Sequence, residues 1–140
     1  GSPDSVPKEY IDSNRSDNLI VIDSFRDDIK NLIALADIMV LVSYYREGVP
    51  RTLLEGLSMS KPIIASNSVG CKEVVEEGRN GFLVPVKNSN KLAEKLKLLM
   101  DDEKKRQLFG KHSRKIAKKY FDETLVINRV LKELYEYEIV

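Results

Sequence analysis

Glu47 and Glu55 are the two side chains in this sequence best spaced to do chemistry together. Seven residues separate them, Gly48, Val49, Pro50, Arg51, Thr52, Leu53 and Leu54. They bracket the start of a helix that opens at Pro50, a residue favoured at the first helical position. The apolar run 38–42 leads into this segment and the run 63–65 leaves it, so the order is strand, loop, helix, strand. In parallel α/β sheets ligands sit beyond the carboxyl ends of the strands, and the loop 43–49 lies at such an end. The following helix aims free backbone N–H groups, including those of Arg51 and Thr52, and the positive end of its dipole into the same crevice. That arrangement suits phosphate. Pro50 has no N–H to give, and Gly48 lets the backbone come close to a ligand without an intervening side chain. An ionised carboxylate accepts from two neighbouring sugar hydroxyls. A ligand with phosphates in the middle and a sugar at each end therefore fits this loop.

A plainer reading competes. Arg51 and Glu55 stand four residues apart on one helix face and can form a surface ion pair, with Glu47 a solvated loop residue. Two details count against it: Arg before Glu is the poorer order for such a pair, and Arg51 sits where the helix dipole disfavours a cation.

The remaining reactive side chains carry less. His112 lies on the apolar face of its helix, four residues from Leu108 and from Ile116, and reads as a structural histidine. Cys71 has no second cysteine or nearby histidine to activate it, and Glu73 reads as a helix cap. Asp101, Asp102 and Glu103 precede a basic run, Lys104, Lys105, Arg106, Lys111, Arg114, Lys115, Lys118 and Lys119. Acids at a helix start and bases toward its end complement the dipole, so a solvated face is one reading. Peripheral contact with anionic lipid headgroups is the other. Aromatic residues do not interleave with the bases, which argues against nucleic acid.

These groups must be positioned by a small domain. The chain has 140 residues, 42% hydrophobic and 32% charged, with a formal net charge of +1, as expected of one globular unit with a single core. One cysteine excludes an internal disulfide framework and points to a reducing, cytoplasmic setting. No run approaches the ~20 apolar residues of a membrane span. Residues 1–18 are a polar lead beginning with a cloning remnant, Gly1-Ser2, and residues 19–140 are the domain proper. The apolar run 19–23 predicts a first buried strand. Asp23-Ser24 offers an N-cap, with Asp27 and Asp28 in the first turn and Ile29, Leu32, Ile33 and Ala36 at helical spacing. Residues 38–42 predict a second buried strand, 63–66 a third and 82–86 a fourth. A short helix over 72–77, capped by Gly70 and ending at Gly78, precedes the Asn80-Gly81 turn. From Ser89 onward the period is helical. Leu92, Leu96 and Leu99 mark one helix; Leu108, Phe109, His112, Ile116 and Tyr120 mark a second. A third is capped by Asp122 and buries Ile127, Val130, Leu131, Leu134 and Tyr137. The expected fold is α/β, a Rossmann-like parallel sheet layered with helices.

The segments Glu47 to Leu57 and Lys61 to Ser66 resemble the E-x7-E signature of the retaining family 4 glycosyltransferases of the GT-B fold. Residues 36–43, 70–75 and 78–85 resemble the neighbouring blocks of that family, in order. The resemblance implies the C-terminal, donor-binding half of a bacterial enzyme of polysaccharide or glycolipid synthesis. Its donor would be a UDP-sugar, or less favourably a GDP-sugar, from which a hexose or N-acetylhexosamine passes to a glycan or lipid-linked acceptor. It further implies that Glu55 accepts from the ribose hydroxyls and that Glu47 holds the transferred sugar. Gly48, Val49, Pro50, Arg51 and Thr52 would surround the sugar and diphosphate, while Ser24, Phe25 and Arg26 receive the base. No metal is expected. The family's basic Arg and Lys pair, its first two strands in this lobe and its acceptor lobe have no counterpart here. The expectation is thus an inactive fragment with a displaced or strand-swapped first strand. A non-catalytic module of the signalling-receiver type is the alternative; Asp23 is poorly placed for it, and Ser43 stands where its phosphoacceptor aspartate would be.

Overall fold

The computed structural model describes residues 6–22, 25–45 and 48–137, with side chains through residue 133. Three strands, β1 (Met39–Leu41), β2 (Ile63–Ser66) and β3 (Gly81–Val84), form a parallel sheet in the order β1-β2-β3. Met39 pairs with Ile63, and Ile63 with Gly81. The central strand is buried along its whole length, as its unalternating apolar sequence requires.

Side chains on successive β2 residues point to opposite faces, and each face has its own core. Ile63 and Ala65 join Leu53 and Leu57 of α3 (Arg51–Ser58), Val74 and Val75, and Ile116 and Ala117 of α6 (Glu103–Tyr120). Ile64 joins Phe82, Val84, Leu99 of α5 (Ser89–Met100) and Phe109 of α6. Leu53 and Leu57 are completely buried, each stabilising the fold by about 1.5–3 kcal/mol. Helices α1 (Lys8–Ser13), α2 (Ile29–Leu35), α4 (Val69–Lys72) and α7 (Glu123–Tyr137) complete the chain.

Close backbone approaches fix the register. A Cβ on Gly81 would lie 1.9 Å from the Ile63 carbonyl oxygen, and one on Gly110 would lie 2.2 Å from that of Ser60. Asn80 is fully buried. Its Nδ2 donates to the Val74 carbonyl at 2.9 Å, and its Oδ1 accepts from the Glu76 N–H at 2.7 Å. The same residue's carbonyl accepts from Ile63 N–H at 3.0 Å, so one residue holds the loop together through its side chain and ties it to the middle of the sheet through its backbone.

Several sequence expectations are corrected. No strand forms over the described part of 19–23: Leu19, Ile20 and Ile22 are exposed. Among the described residues the sheet ends at β1, and this run does not pair with that edge. The strand expected at 38–42 is shorter, and Val40 is exposed because β1 is an edge. Helix α2 starts at Ile29, with Asp28 in the cap position but without a capping bond. The Asp28 carboxylate is held by Arg26 instead, at 2.6 and 2.5 Å. Asp23 and Ser24, the expected cap, lie outside the described residues. Pro50 precedes α3 as its N-cap. The helix expected at 72–77 is α4, with Ser68 at its N-cap. Gly70 is thus inside it and Glu73 is the C-cap, because Asn80 holds 74–80 in a turn. Strand β3 stops at Val84, and Val86 is exposed. On α6 the buried stripe runs through Phe109, Gly110, Ser113, Ile116 and Ala117, whereas Leu108 and Tyr120 face outward. Asp122 does cap α7, accepting from Thr124 N–H at 3.0 Å. The α7 stripe of Ile127, Val130 and Leu131 is exposed, not buried, since no described element packs on it; the side chains of Leu134 and Tyr137 lie outside the described set.

Candidate functional site

The carboxyl ends of β1 and β2 open on a cavity of about 200 Å3, lined by Leu41, Ser43, Tyr45, Gly48, Pro50, Ser68, Gly70 and Cys71. Its floor is held from β2. Ser66, 1% exposed, donates its hydroxyl to the Ser43 carbonyl and lies 3.5 Å from that of Leu41. Ser43 Oγ accepts from Tyr45 N–H at 3.3 Å. Tyr44 and Tyr45 stack with ring centroids 4.7 Å apart, and Lys87 Nζ sits 4.8 Å from the Tyr44 centroid. A polar loop is thereby braced by an aromatic pair on one side and a buried hydroxyl below.

The other wall is the tip of α3. Pro50 is extended there, with φ −65° and ψ 126°, and its carbonyl accepts from Leu53 and Leu54 N–H at 3.0 and 3.3 Å. Among the described residues no side-chain cap bond is made at this end. The amides of Arg51 and Thr52 precede the first intrahelical bond, so the helix itself leaves both for an outside acceptor. Among the described residues nothing beyond its chain neighbours lies within 4 Å of where a Cβ on Gly48 would be, so on that side the backbone is open to a ligand. Val49 packs its side chain on the core, which leaves only its peptide groups facing outward. This is an anion site in geometry: two helix-tip donors, a positive dipole end and free space.

Glu55 lies one turn behind the tip. Arg51 Nε donates to its Oε1 at 3.1 Å, with the side chains 91% and 33% exposed respectively. The plain surface pair therefore forms. Such a pair is worth only about 0.3–0.5 kcal/mol, and the exposed guanidinium can leave it at little cost. Glu47 lies outside the described residues, as does Ser24. Phe25 is 96% exposed, and Arg26 is occupied with Asp28, whose carboxyl it holds below the usual carboxylate range. Neither lines the cavity. Of the residues singled out in the sequence, Gly48 and Pro50 line the cavity, whereas Val49, Arg51, Thr52 and Glu55 adjoin them along the chain without lining it.

Ser68, Gly70 and Cys71 line the cavity without having been singled out for it. The rule that placed 43–49 at a strand's carboxyl end applies equally to the residues after β2, and would have found them. His112 lies outside the cavity lining, and its Nε2 is 2.9 Å from Glu76 Oε2. That hydrogen bond, with Arg79 nearby, holds the Glu76 carboxyl below its ordinary value against the opposing effect of burial. Among the described residues no cluster of His, Cys, Asp and Glu could hold a metal ion, and no helix is long and apolar enough to cross a membrane.

Known proteins resemble this chain in sequence and in fold. An N,N'-diacetylbacillosaminyl-diphospho-undecaprenol alpha-1,3-N-acetylgalactosaminyltransferase of Campylobacter jejuni is 39% identical over 111 residues, which is 79% of this chain and 29% of that protein. Spore coat protein SA of Bacillus subtilis is 34% identical over 110 residues, 78% of this chain and 29% of its own length. The chain therefore spans under a third of these relatives. The crystal structure of Anabaena HepE in complex with UDP superposes with a TM-score of 0.77 at 29% identity, covering 80% of this chain and 31% of that one. The C-terminal domain of a glycosyl transferase group 1 family protein, LpcC of Francisella tularensis, gives 0.66 at 25% identity, over 74% of this chain and 53% of that one. An α/β parallel sheet of the GT-B kind and a match over residues 8–116 to the family described as glycosyl transferases group 1 converge: the chain belongs to that family.

Proposed function

We propose that this chain is the donor-binding lobe of a retaining family 4 glycosyltransferase. The parent enzyme transfers a hexose or N-acetylhexosamine from a UDP-sugar, with a GDP-sugar as the second choice, to a glycan or lipid-linked acceptor. The observation that carries this is the tip of α3, with no side-chain cap among the described residues, whose Pro50 lines the cavity with Gly48 at the sheet's carboxyl edge. It is supported by the likeness to a structure holding UDP and by the lipid-linked substrate in the name of the Campylobacter relative.

In this reading the amides of Arg51 and Thr52 bind the diphosphate, and Glu55 exchanges the Arg51 guanidinium for the ribose hydroxyls. Glu47 holds a hydroxyl of the sugar, so that the anomeric carbon is presented for transfer with retention. Backbone donors take the place of a metal ion in steadying the leaving diphosphate. The chain alone binds nucleotide weakly and does not turn over. Strand addition from a second copy would use the free outer edge of β1.

The test is a titration of the isotope-labelled chain with UDP and with GDP, followed by amide resonances. Millimolar UDP is expected to shift the signals of Gly48, Arg51 and Thr52 before any others. Absence of change there with both nucleotides would overturn the assignment. It would favour the non-catalytic module, for which the occupied Arg51–Glu55 pair is the supporting observation.

A further inference from the structure

The outward face of α6 presents a pattern that the donor site does not use. Lys104, Leu108, Lys111, Lys115 and Lys118 recur at steps of four, three, four and three residues. At about 100° per residue they fall within an arc of about 80°, spread over about 21 Å of helix. That arc is centred opposite the buried residues Phe109, Gly110, Ser113, Ile116 and Ala117. Leu108 is 65% exposed, with the lysines around it also exposed. Among the described residues no carboxylate pairs with Lys104, Lys111, Lys115 or Lys118, whereas Lys105, Lys91 and Lys97 each have an acid partner.

Local helix energetics do not account for this stripe. Cations near a helix C-terminus complement the dipole, which explains Lys118 and Lys119. Lys104 lies in the first turn, where a cation is disfavoured, and Lys111 is more than two turns from the end. Lys111–Lys115 and Arg114–Lys118 are like-charged i, i+4 pairs, which weaken a helix. The face carries uncompensated positive charge on a chain whose formal net charge is only +1. At its N-terminal end, Lys104 and Leu108 border an open cavity of about 510 Å3 backed by Phe82 and Phe109.

We propose that this face docks the protein on a bilayer surface rich in anionic phospholipid. The four lysines meet the phosphates while Leu108 and the adjoining apolar hollow meet the acyl boundary. A row of cations with an apolar residue in its midst matches that interface, where charge attraction and shallow apolar insertion add. A nucleic acid backbone would be served by the lysines alone and gives Leu108 nothing to do. The inference rests on α6 and stands whether or not the donor site is correctly assigned.

The experiment uses the whole 140-residue chain with vesicles of phosphatidylcholine, with and without about 30% phosphatidylglycerol, at a salt concentration of about 0.1 M so that a lysine's reach is about 10 Å. Binding is expected only to the anionic vesicles, and Lys111→Ala with Lys115→Ala should lower the partition coefficient about 25-fold, at about five-fold for each lysine. Lys91→Ala with Lys97→Ala, which removes equal charge from α5, should leave binding within about two-fold, as expected for lysines already engaged by Glu94 and Asp101. A Leu108→Trp variant should show blue-shifted emission on the anionic vesicles. Circular dichroism checks that each variant keeps its helices. The proposal is overturned by equal binding to neutral vesicles, by no binding at all, by equal loss in the α5 control, or by an unshifted Leu108→Trp emission. Tighter binding to a nucleic acid duplex at matched phosphate concentration also overturns it.

Discussion

Glu55 has two roles on offer, and they separate under a pair of substitutions. As a surface partner of Arg51, it contributes about 0.3–0.5 kcal/mol, because one member of the pair is 91% exposed and the geometry is a single contact of 3.1 Å. Arg51→Ala and Glu55→Gln should then each cost under about 0.5 kcal/mol. At about 2 kcal/mol per molar urea, that shifts the unfolding midpoint by less than about 0.3 M. As a ribose acceptor, Glu55 makes a hydrogen bond with charged character, worth about 1.5–3 kcal/mol. Glu55→Gln should therefore raise the UDP dissociation constant about 10- to 150-fold. Arg51→Ala removes a competitor for the same carboxylate and keeps the backbone N–H, so UDP affinity should hold or improve by up to about two-fold. Urea unfolding and a UDP titration on the three proteins give both sets of numbers. If Glu55→Gln leaves the UDP dissociation constant within two-fold of wild type, the ribose role is refuted and only the surface pair remains.

Other expectations follow from the same geometry. Gly48→Ala meets no neighbour within 4 Å, so its urea midpoint should stay near wild type while UDP binding weakens; a loss confined to stability would contradict an open phosphate approach. Asn80→Ala strands the Glu76 N–H and the Val74 carbonyl and should cost about 2–6 kcal/mol at about 1–3 for each group, read by urea unfolding with an unchanged slope. Gly81→Ala drives a Cβ to 1.9 Å from a backbone oxygen that cannot rotate away, and should cost about 3 kcal/mol or more in thermal unfolding. Glu76 is held below its ordinary value of about 4.5, chiefly by the hydrogen bond from His112. A depressed carboxylate stabilises the fold above its unfolded value and loses that contribution as pH falls through the lower, folded value. Urea midpoints taken downward from pH 6 should therefore fall less steeply below about pH 4.5 in Glu76→Gln than in wild type.

Strands and helices with partners inside the chain were legible from residue order. The 63–66 strand matches β2 residue for residue, because a buried central strand needs no alternation and Lys61-Pro62 and Asn67 bound it. Helical period puts Leu53, Leu54 and Leu57 on one face, and Leu53 and Leu57 are indeed fully buried while Leu54 is only partly so. The run 19–23 was misread for the same reason that β2 was read correctly. Hydrophobicity specifies a wish for burial, and only a neighbouring strand can grant it. The α7 stripe failed likewise, being amphipathic in sequence but without a described element to cover it. The α3 tip followed from Pro50 and the dipole, whereas the Arg26–Asp28 pair is a contact that periodicity cannot express.

Helix α6 also decides how the molecule comes apart. Phe109 belongs to the core beneath one side of the sheet, and Ile116 and Ala117 to the core on the other. Loosening either layer therefore requires the same rod to let go of both. Melting should be a single event sensed equally by probes on either side, with hydrogen-exchange protection near Leu57 and near Leu99 lost together.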